Sequence, residues 1–342
     1  MKRTVCVLLL VSLLLAGCTA GEKAPERKQY NASFLTLFDT VTTIVGKADS
    51  EDTFRETAQS IHDELLQYHQ LFDIYNDYEG INNLKNVNDN AGIAPVPVDS
   101  RILALLKDCK AYYELTGSMV NPAMGSVLQL WHVSRNEGIN DPAHASLPNH
   151  EKLETAAQHM DFDAVVIDEA ASTVFLSDPN MRLDVGAVAK GWSVQQVAAN
   201  APSGLLISVG GNVCATGPKD ENGTAWVVGV QDPNGGDSYL HTLTVTEGSV
   251  VTSGDYQRAY VVDGELYHHI IDPNTLYPST PWRSVTILSD DSGLADALST
   301  ALFLLPLEEG RKLLEETGAH AMWVNREGEI FYSPGFQDYI RT

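Results

Sequence analysis

The stretch Asp184-Val-Gly-Ala-Val-Ala-Lys190-Gly191 constrains this chain more than any other. It follows an extended run, Thr173 to Leu176, and a turn at Asp178-Pro179-Asn180. A helical pattern, Val188 to Ala199, comes directly after it. An acid therefore ends a strand, and Gly186 and Gly191 flank the opening turn of a helix that carries a lysine. Free amides at a helix start favour phosphate. On that reading Asp184 holds a donor group of a ligand and Lys190 holds an anion. A simpler reading makes Asp184 a helix cap. The stretch alone leaves both open.

The rest of the chain narrows the partner. Its 342 residues make one large domain or two small ones. With 44% hydrophobic and 20% charged residues, a packed core is expected. A net charge of -23 excludes the basic footprint of a nucleic-acid binder and electrostatic docking on anionic lipid. Lys2 and Arg3 precede an apolar run, Val5 to Ala16, too short for an ordinary membrane span. It ends in Leu15-Ala16-Gly17-Cys18, which resembles a bacterial lipoprotein signal. That resemblance implies cleavage before Cys18 and lipidation of its thiol; an ordinary secretory signal is the alternative. The chain then divides into a signal peptide (1–17), a lipidated cysteine with a polar tether (18–33) and one folded domain (34–342). The expected location is the extracytoplasmic side of a membrane, either the periplasmic face of an inner membrane or the surface of a single-membrane cell. Cys109 and Cys214 are expected to be buried thiols, although spacing does not exclude a disulfide. No Cys/His spacing suggests zinc.

Periodicity gives a coarse outline. Phe38 to Val45 reads as a strand, and Ser50 to His69 as a helix. A second helix starts near Val98 with Ser100 as its cap, and a short one ends near Trp131. Residues 134–150 are polar and read as a loop. Hairpins are expected at 163–176, 257–271 (around Asp263-Gly264) and 321–332, with helices at 292–304 and 307–317. Antiparallel hairpins beside clustered helices indicate an α+β fold and not a regular βαβ array. Gly210-Gly211 lacks the G-x-G-x-x-G context of a dinucleotide fold.

Two further stretches carry chemistry. Asp296 and Thr300 lie four apart on a helix and so face the same way. A carboxylate and a hydroxyl are hard oxygen ligands that suit Mg²⁺, although an acid near a helix start is also an ordinary cap. His269 stands beside the Asp272-Pro273 turn, as a proton acceptor, a phosphate contact or a plain turn residue. Arg258 suits a phosphate, or simply Asp255.

Taken in order, five motifs resemble the ApbE family of FAD:protein FMN transferases. They are Asp184-x-Gly-Ala-x-Ala-Lys-Gly191, Gly210-Gly211-Asn212, Thr252-Ser-Gly-Asp-Tyr256, His269-x-Ile-Asp-Pro273 and Asp296-x-x-x-Thr300. The resemblance runs from about Phe34 to Tyr332. It implies a T-fold-related α+β arrangement of mixed, largely antiparallel sheets with packed helices. FAD is implied as substrate, with Mg²⁺ on its pyrophosphate, held by Asp296, Thr300 and the main-chain carbonyl of Ala187. Phe38, Tyr75, Ser118, Met119, Val120, Asp184, Lys190 and Ile271 match cofactor-contacting positions. His269 and Asp296 match the positions tied to catalysis. The implied partner is an acceptor flavoprotein, a redox membrane subunit or an exported protein, bearing a threonine in a short Asp-Gly-x-Ser/Thr-Gly-Ala-Thr-like motif.

Three departures stand out. Phe38-Asp39-Thr40 replaces Met-Gly-Thr, Asn121 replaces an aspartate before proline, and Leu276 stands where glycine is usual. They touch loop geometry and none of the expected metal ligands. The implied reaction is attack of a threonine hydroxyl on the FMN phosphorus of FAD, with AMP leaving. Such a transition state spreads charge over phosphoryl oxygens, so positioning and a cation do most of the work. An FAD pyrophosphatase and a non-catalytic FAD-binding lipoprotein are the alternatives.

Overall fold

The fold is that of a computed structural model, which describes residues 27–236 and 238–341. The expected signal peptide (1–17) and Cys18, expected to be lipidated, lie outside the described residues. Eight strands form the main sheet: β1 (Lys28–Phe34), β2 (Thr42–Ala48), β3 (Leu205–Val209), β4 (Asn212–Thr216), β5 (Glu247–Gly254), β6 (Trp282–Ser289), β7 (His320–Asn325) and β8 (Ile330–Tyr332). Their order across the sheet follows their order in the chain, and every neighbouring pair is antiparallel. The sheet is therefore a simple meander whose connections carry the remaining elements. The α+β expectation holds.

The longest connection, between β2 and β3, contains six helices: α1 (Glu51–Phe72), α2 (Leu84–Asp89), α3 (Ser100–Leu115), α4 (Gly125–Asn140), α5 (His150–Ala157) and α6 (Ala189–Asn200). The connection between β6 and β7 supplies α7 (Ser292–Leu304) and α8 (Leu307–Glu315). Alternation along the strands covers both faces of the sheet. Val251, Ile287 and Trp323 point to the main core with α1, α3, α6 and α7, whereas Val250, Leu288 and Met322 point to a second core. That second core is closed by the hairpin Trp226–Gln231/Tyr239–Val245. α7 is apolar almost all round, and most of its residues are buried, as such a helix must be.

Several expectations change. The tether reading of 18–33 fails at its end, because Lys28–Phe34 pairs with β2 along its whole length. Its side chains are only half-buried, so hydrophobic pattern gave little sign of a strand. The cap of α3 is Asp99, whose side chain accepts from the Arg101 amide, and not Ser100. The helix expected to stop near Trp131 runs on to Asn140. Its buried positions in that part are Ser134 and Gly138, too small and polar to show as an apolar stripe. Gly138 is needed there because the Tyr260 ring lies against it. Cys109 and Cys214 are both buried and unpaired. Among the described residues, no helix is long and apolar enough to cross a membrane.

Candidate active site

The connections meet at one cavity of about 410 Å³. One wall is the junction of α6 and α7. Asp296 is buried, and its Oδ2 accepts from the Gly191 amide at 2.8 Å. In a regular helix that amide would close on the Ala187 carbonyl; here it holds the carboxylate. Gly191 permits the contact, since a Cβ there would overlap Ser292 O and the Asp296 Cβ. Lys190 Nζ lies 3.6 Å from Asp296 Oδ2 and donates to Gly186 O at 3.3 Å. Ala187 and Thr300 complete this wall.

The approach to α6 is equally fixed. Asn88 is buried and grips the backbone of Leu183, donating to its carbonyl at 3.0 Å and accepting from its amide at 2.6 Å. The Asp184 amide donates to Pro122 O at 2.8 Å. Asp184 Oδ1 accepts from the Gly186 amide at 2.9 Å. Its carboxylate therefore closes the turn and not the helix, whose capping position is Val188. Burial raises the Asp184 pKa, and the Gly186 amide opposes that rise.

The rest of the lining comes from loops and α4. Phe38 and Asp39 both adopt left-handed backbone, with φ of 52° and 53°. The Phe38 amide donates to His69 Nδ1 at 3.2 Å, and its ring meets the His69 imidazole edge-on at 5.5 Å. Asp39 and Leu276 occupy the positions where the family pattern has glycine, and both have positive φ. Those two departures therefore store backbone strain, and only Asp39 of the two lines the cavity. Arg258, with φ of 47°, reaches Phe38 O at 3.5 Å. Asp255, the alternative partner for Arg258, pairs with Arg283 at 2.8 Å instead.

His269 Nδ1 lies 3.1 Å from Gln257 O. A carbonyl only accepts, so the ring proton sits on Nδ1 and Nε2 keeps its lone pair. Burial, reinforced by Arg258, holds the His269 pKa down to about 3. The imidazole is neutral at ordinary pH, with Nε2 unprotonated. Its neighbour His268 is buried with both nitrogens engaged, by Ser279 O at 2.7 Å and the Ile270 amide at 3.2 Å.

The cavity brings together Phe38, Tyr75, Met119, Val120, Asp184, Ala187, Lys190, His269, Ile271, Asp296 and Thr300. Ser118 is not among its lining residues. It has φ of 70° and its amide donates to Tyr113 O at 2.8 Å, so it ends α3 and aims Met119 and Val120. Sequence reasoning missed His132 and Arg135, which line the cavity from α4. His132 stacks on Tyr75 at 5.0 Å and accepts from Arg135 at 3.0 Å. Burial lowers the pKa of both, aided at His132 by Arg135 and at Arg135 by Arg258. The available signal was the spacing Leu128, Trp131, His132, Arg135, which puts all four on one helix face.

A family model described as the ApbE family matches residues 38–323. The chain belongs to the ApbE family. Among its ApbE relatives, the FAD:protein FMN transferase of Treponema pallidum (strain Nichols) is 37% identical over 278 residues, covering 76% of this chain and 75% of that protein. An FAD:protein FMN transferase of Klebsiella pneumoniae (strain 342) is 33% identical over 285 residues, covering 80% and 86%. The crystal structure of the ApbE protein of Thermotoga maritima superposes with a TM-score of 0.80 at 30% identity, over 92% of this chain and all of that one.

Proposed function

We propose that this chain is an FAD:protein FMN transferase that moves FMN from FAD to a threonine hydroxyl of an acceptor protein and releases AMP. The observation that carries the reading is the gathering, around one cavity, of a buried carboxylate beside a lysine and a neutral imidazole with a free nitrogen. Family membership and the names of the relatives support it.

The donor set on the α6–α7 wall fits Mg²⁺. Asp296, Thr300 and the Ala187 carbonyl are hard oxygen donors, and the Gly191 amide that would occupy that carbonyl is turned to Asp296. Among the described residues no group of three His, Cys, Asp or Glu side chains gathers as a cation site. One carboxylate plus substrate phosphates is how Mg²⁺ is commonly held. When bound, the ion would neutralise charge on the FAD pyrophosphate.

The chain's own residues do the rest. Lys190 can turn its ammonium from Asp296 to a phosphate oxygen. Tyr75, Phe38, Met119, Val120 and Ile271 provide the apolar and aromatic surface for the FAD rings. Asp184 accepts from a donor group on FAD. His269 Nε2 takes the threonine proton as the threonine oxygen bonds to the FMN phosphorus and the bond to AMP breaks. Ahead of this domain, Cys18 carries lipid after removal of residues 1–17 and holds the enzyme on the extracytoplasmic face of a membrane, near exported or membrane-bound acceptors. Release of a Cys18→Ala variant from the membrane fraction is the expected outcome; unchanged retention contradicts the anchor.

The deciding experiment mixes the protein with FAD, Mg²⁺ and an acceptor bearing the threonine motif. The acceptor should gain the mass of one FMN on the threonine, with one AMP released. AMP without a labelled acceptor would make the protein a pyrophosphatase, and no AMP despite FAD binding would make it a carrier.

A further inference from the structure

Asp255 belongs to the motif Ser253-Gly254-Asp255-Tyr256, yet it does not line the cavity. It is buried at the end of β5 and bound to Arg283 of β6 twice over. Arg283 Nε donates to Asp255 Oδ2 at 2.8 Å, and the Asp255 amide donates to Arg283 O at 2.9 Å. The remaining guanidinium nitrogens reach the other hairpin. Nη1 donates to Asn234 Oδ1 at 3.0 Å and Nη2 to Pro233 O at 2.8 Å. One arginine thus ties the turn after β5 to a loop some twenty residues earlier in the chain. A buried ion pair is a weak source of stability, because desolvation offsets most of the attraction. Fixing geometry is the better account of it.

The geometry being fixed lies two residues on. Gln257 is exposed, and its carbonyl is the partner of His269 Nδ1. Arg258 follows it in left-handed backbone. Both residues line the cavity, and both sit in the turn that the ion pair holds. His268, one residue before His269, is held by a different set of partners and in the opposite sense. It accepts from the Ile270 amide at Nδ1 and donates from Nε2 to Ser279 O. Adjacent imidazoles therefore carry their protons on different nitrogens, and only one of them depends on the Gln257 carbonyl.

We infer that Asp255 and Arg283 are positioning residues for His269: they fix the turn whose Gln257 carbonyl keeps the imidazole proton on Nδ1 and leaves Nε2 open. The tautomer follows from the geometry alone, whereas its consequence for turnover rests on the function proposed above. Arg283→Lys keeps the charge beside Asp255 and loses the planar fork to residues 233 and 234. Asp255→Asn keeps the shape and removes the charge.

The test is nitrogen NMR of the full chain with labelled imidazoles at neutral pH, joined to turnover assays. In the unaltered protein His269 should be mainly the Nδ1–H form and His268 mainly the Nε2–H form. In Arg283→Lys the Nε2–H share of His269 should rise roughly fivefold, as expected for the loss of one ordinary hydrogen bond. His268 should stay as it was, and kcat should fall without a change in the KM for FAD. An unchanged His269 tautomer in folded Arg283→Lys overturns the inference, as does an Nε2–H form of His269 in the unaltered protein. Should Asp255→Asn fail to fold, Arg283→Lys decides alone. His269→Gln separates the two levels. If it retains full turnover while the tautomer shifts in Arg283→Lys, the proton-acceptor role falls and the clamp stands. If it is inactive while the tautomer does not shift, the clamp falls and the role stands.

Discussion

The two walls of the cavity are built on different principles. The α6–α7 wall consists of two regular helices in contact through a glycine, with the key carboxylate held by a backbone amide. The other wall consists of turns and one half-buried helix, with left-handed backbone at Phe38, Asp39 and Arg258. A rigid wall suits a group that must fix a pyrophosphate and a cation in one place. A wall of loops suits the side where a second protein must bring its hydroxyl. The two walls therefore differ in what a substitution should do: on the first it should remove chemistry or packing, on the second it should tune proton transfer and strain.

The largest effect is expected at Asp296. Asp296→Ala should lower FMN transfer by about 10²–10³-fold, the scale for removing one preorganised electrostatic group, and should abolish its dependence on Mg²⁺. Rates at saturating FAD across a Mg²⁺ series check this. Next comes the imidazole. His269→Gln should slow transfer by about 10²-fold, the lower end for loss of a general base, while FAD still binds as measured by flavin fluorescence. Comparable losses of FAD affinity at both positions would erase the contrast between the walls.

Gly191→Ala tests the packing of the rigid wall. Its new methyl group must displace α7, so unfolding free energy should drop by about 1–3 kcal/mol in a denaturant titration. Asp39→Gly tests the strained wall and should act in the opposite direction. Asp39 is exposed with φ of 53°, and glycine there should stabilise by about 1 kcal/mol or less.

A further test follows from the His269 pKa, which is about 3 against an ordinary 6.5. Between those values the unfolded chain binds the proton and the folded chain does not. Stability from this group is thus fully present above pH 6.5 and is lost as pH falls towards 3. His269→Gln should flatten that part of the stability–pH curve, and an unchanged slope would mean the imidazole is not held neutral.

The contrast also explains what was legible in the sequence. Asp184 to Gly191 and Asp296 to Thr300 are contiguous motifs at or on helices, so each was visible as a candidate, and the family resemblance joined them into one site. The other wall is assembled from distant turns whose residues carry no periodic signal. His69 and Gln257 act through a ring nitrogen and a main-chain carbonyl, which no residue pattern reports. His132 and Arg135 were hidden because the second half of α4 buries serine and glycine. Strand β1 was hidden for a related reason, since an edge strand with half-exposed side chains reads like a polar tether. The meander itself, with its strands in chain order, was implied only loosely by the hairpin signals.

The central claim is that the two walls act on one FAD molecule. A crystal structure of the protein with FAD and Mg²⁺ tests it most directly. The account predicts the cation on Asp296, Thr300 and the Ala187 carbonyl at the pyrophosphate, with His269 Nε2 on the side of the FMN phosphorus. A pyrophosphate seated on Arg135 and Arg258 away from Asp296, or His269 turned towards the adenosine end, would contradict it.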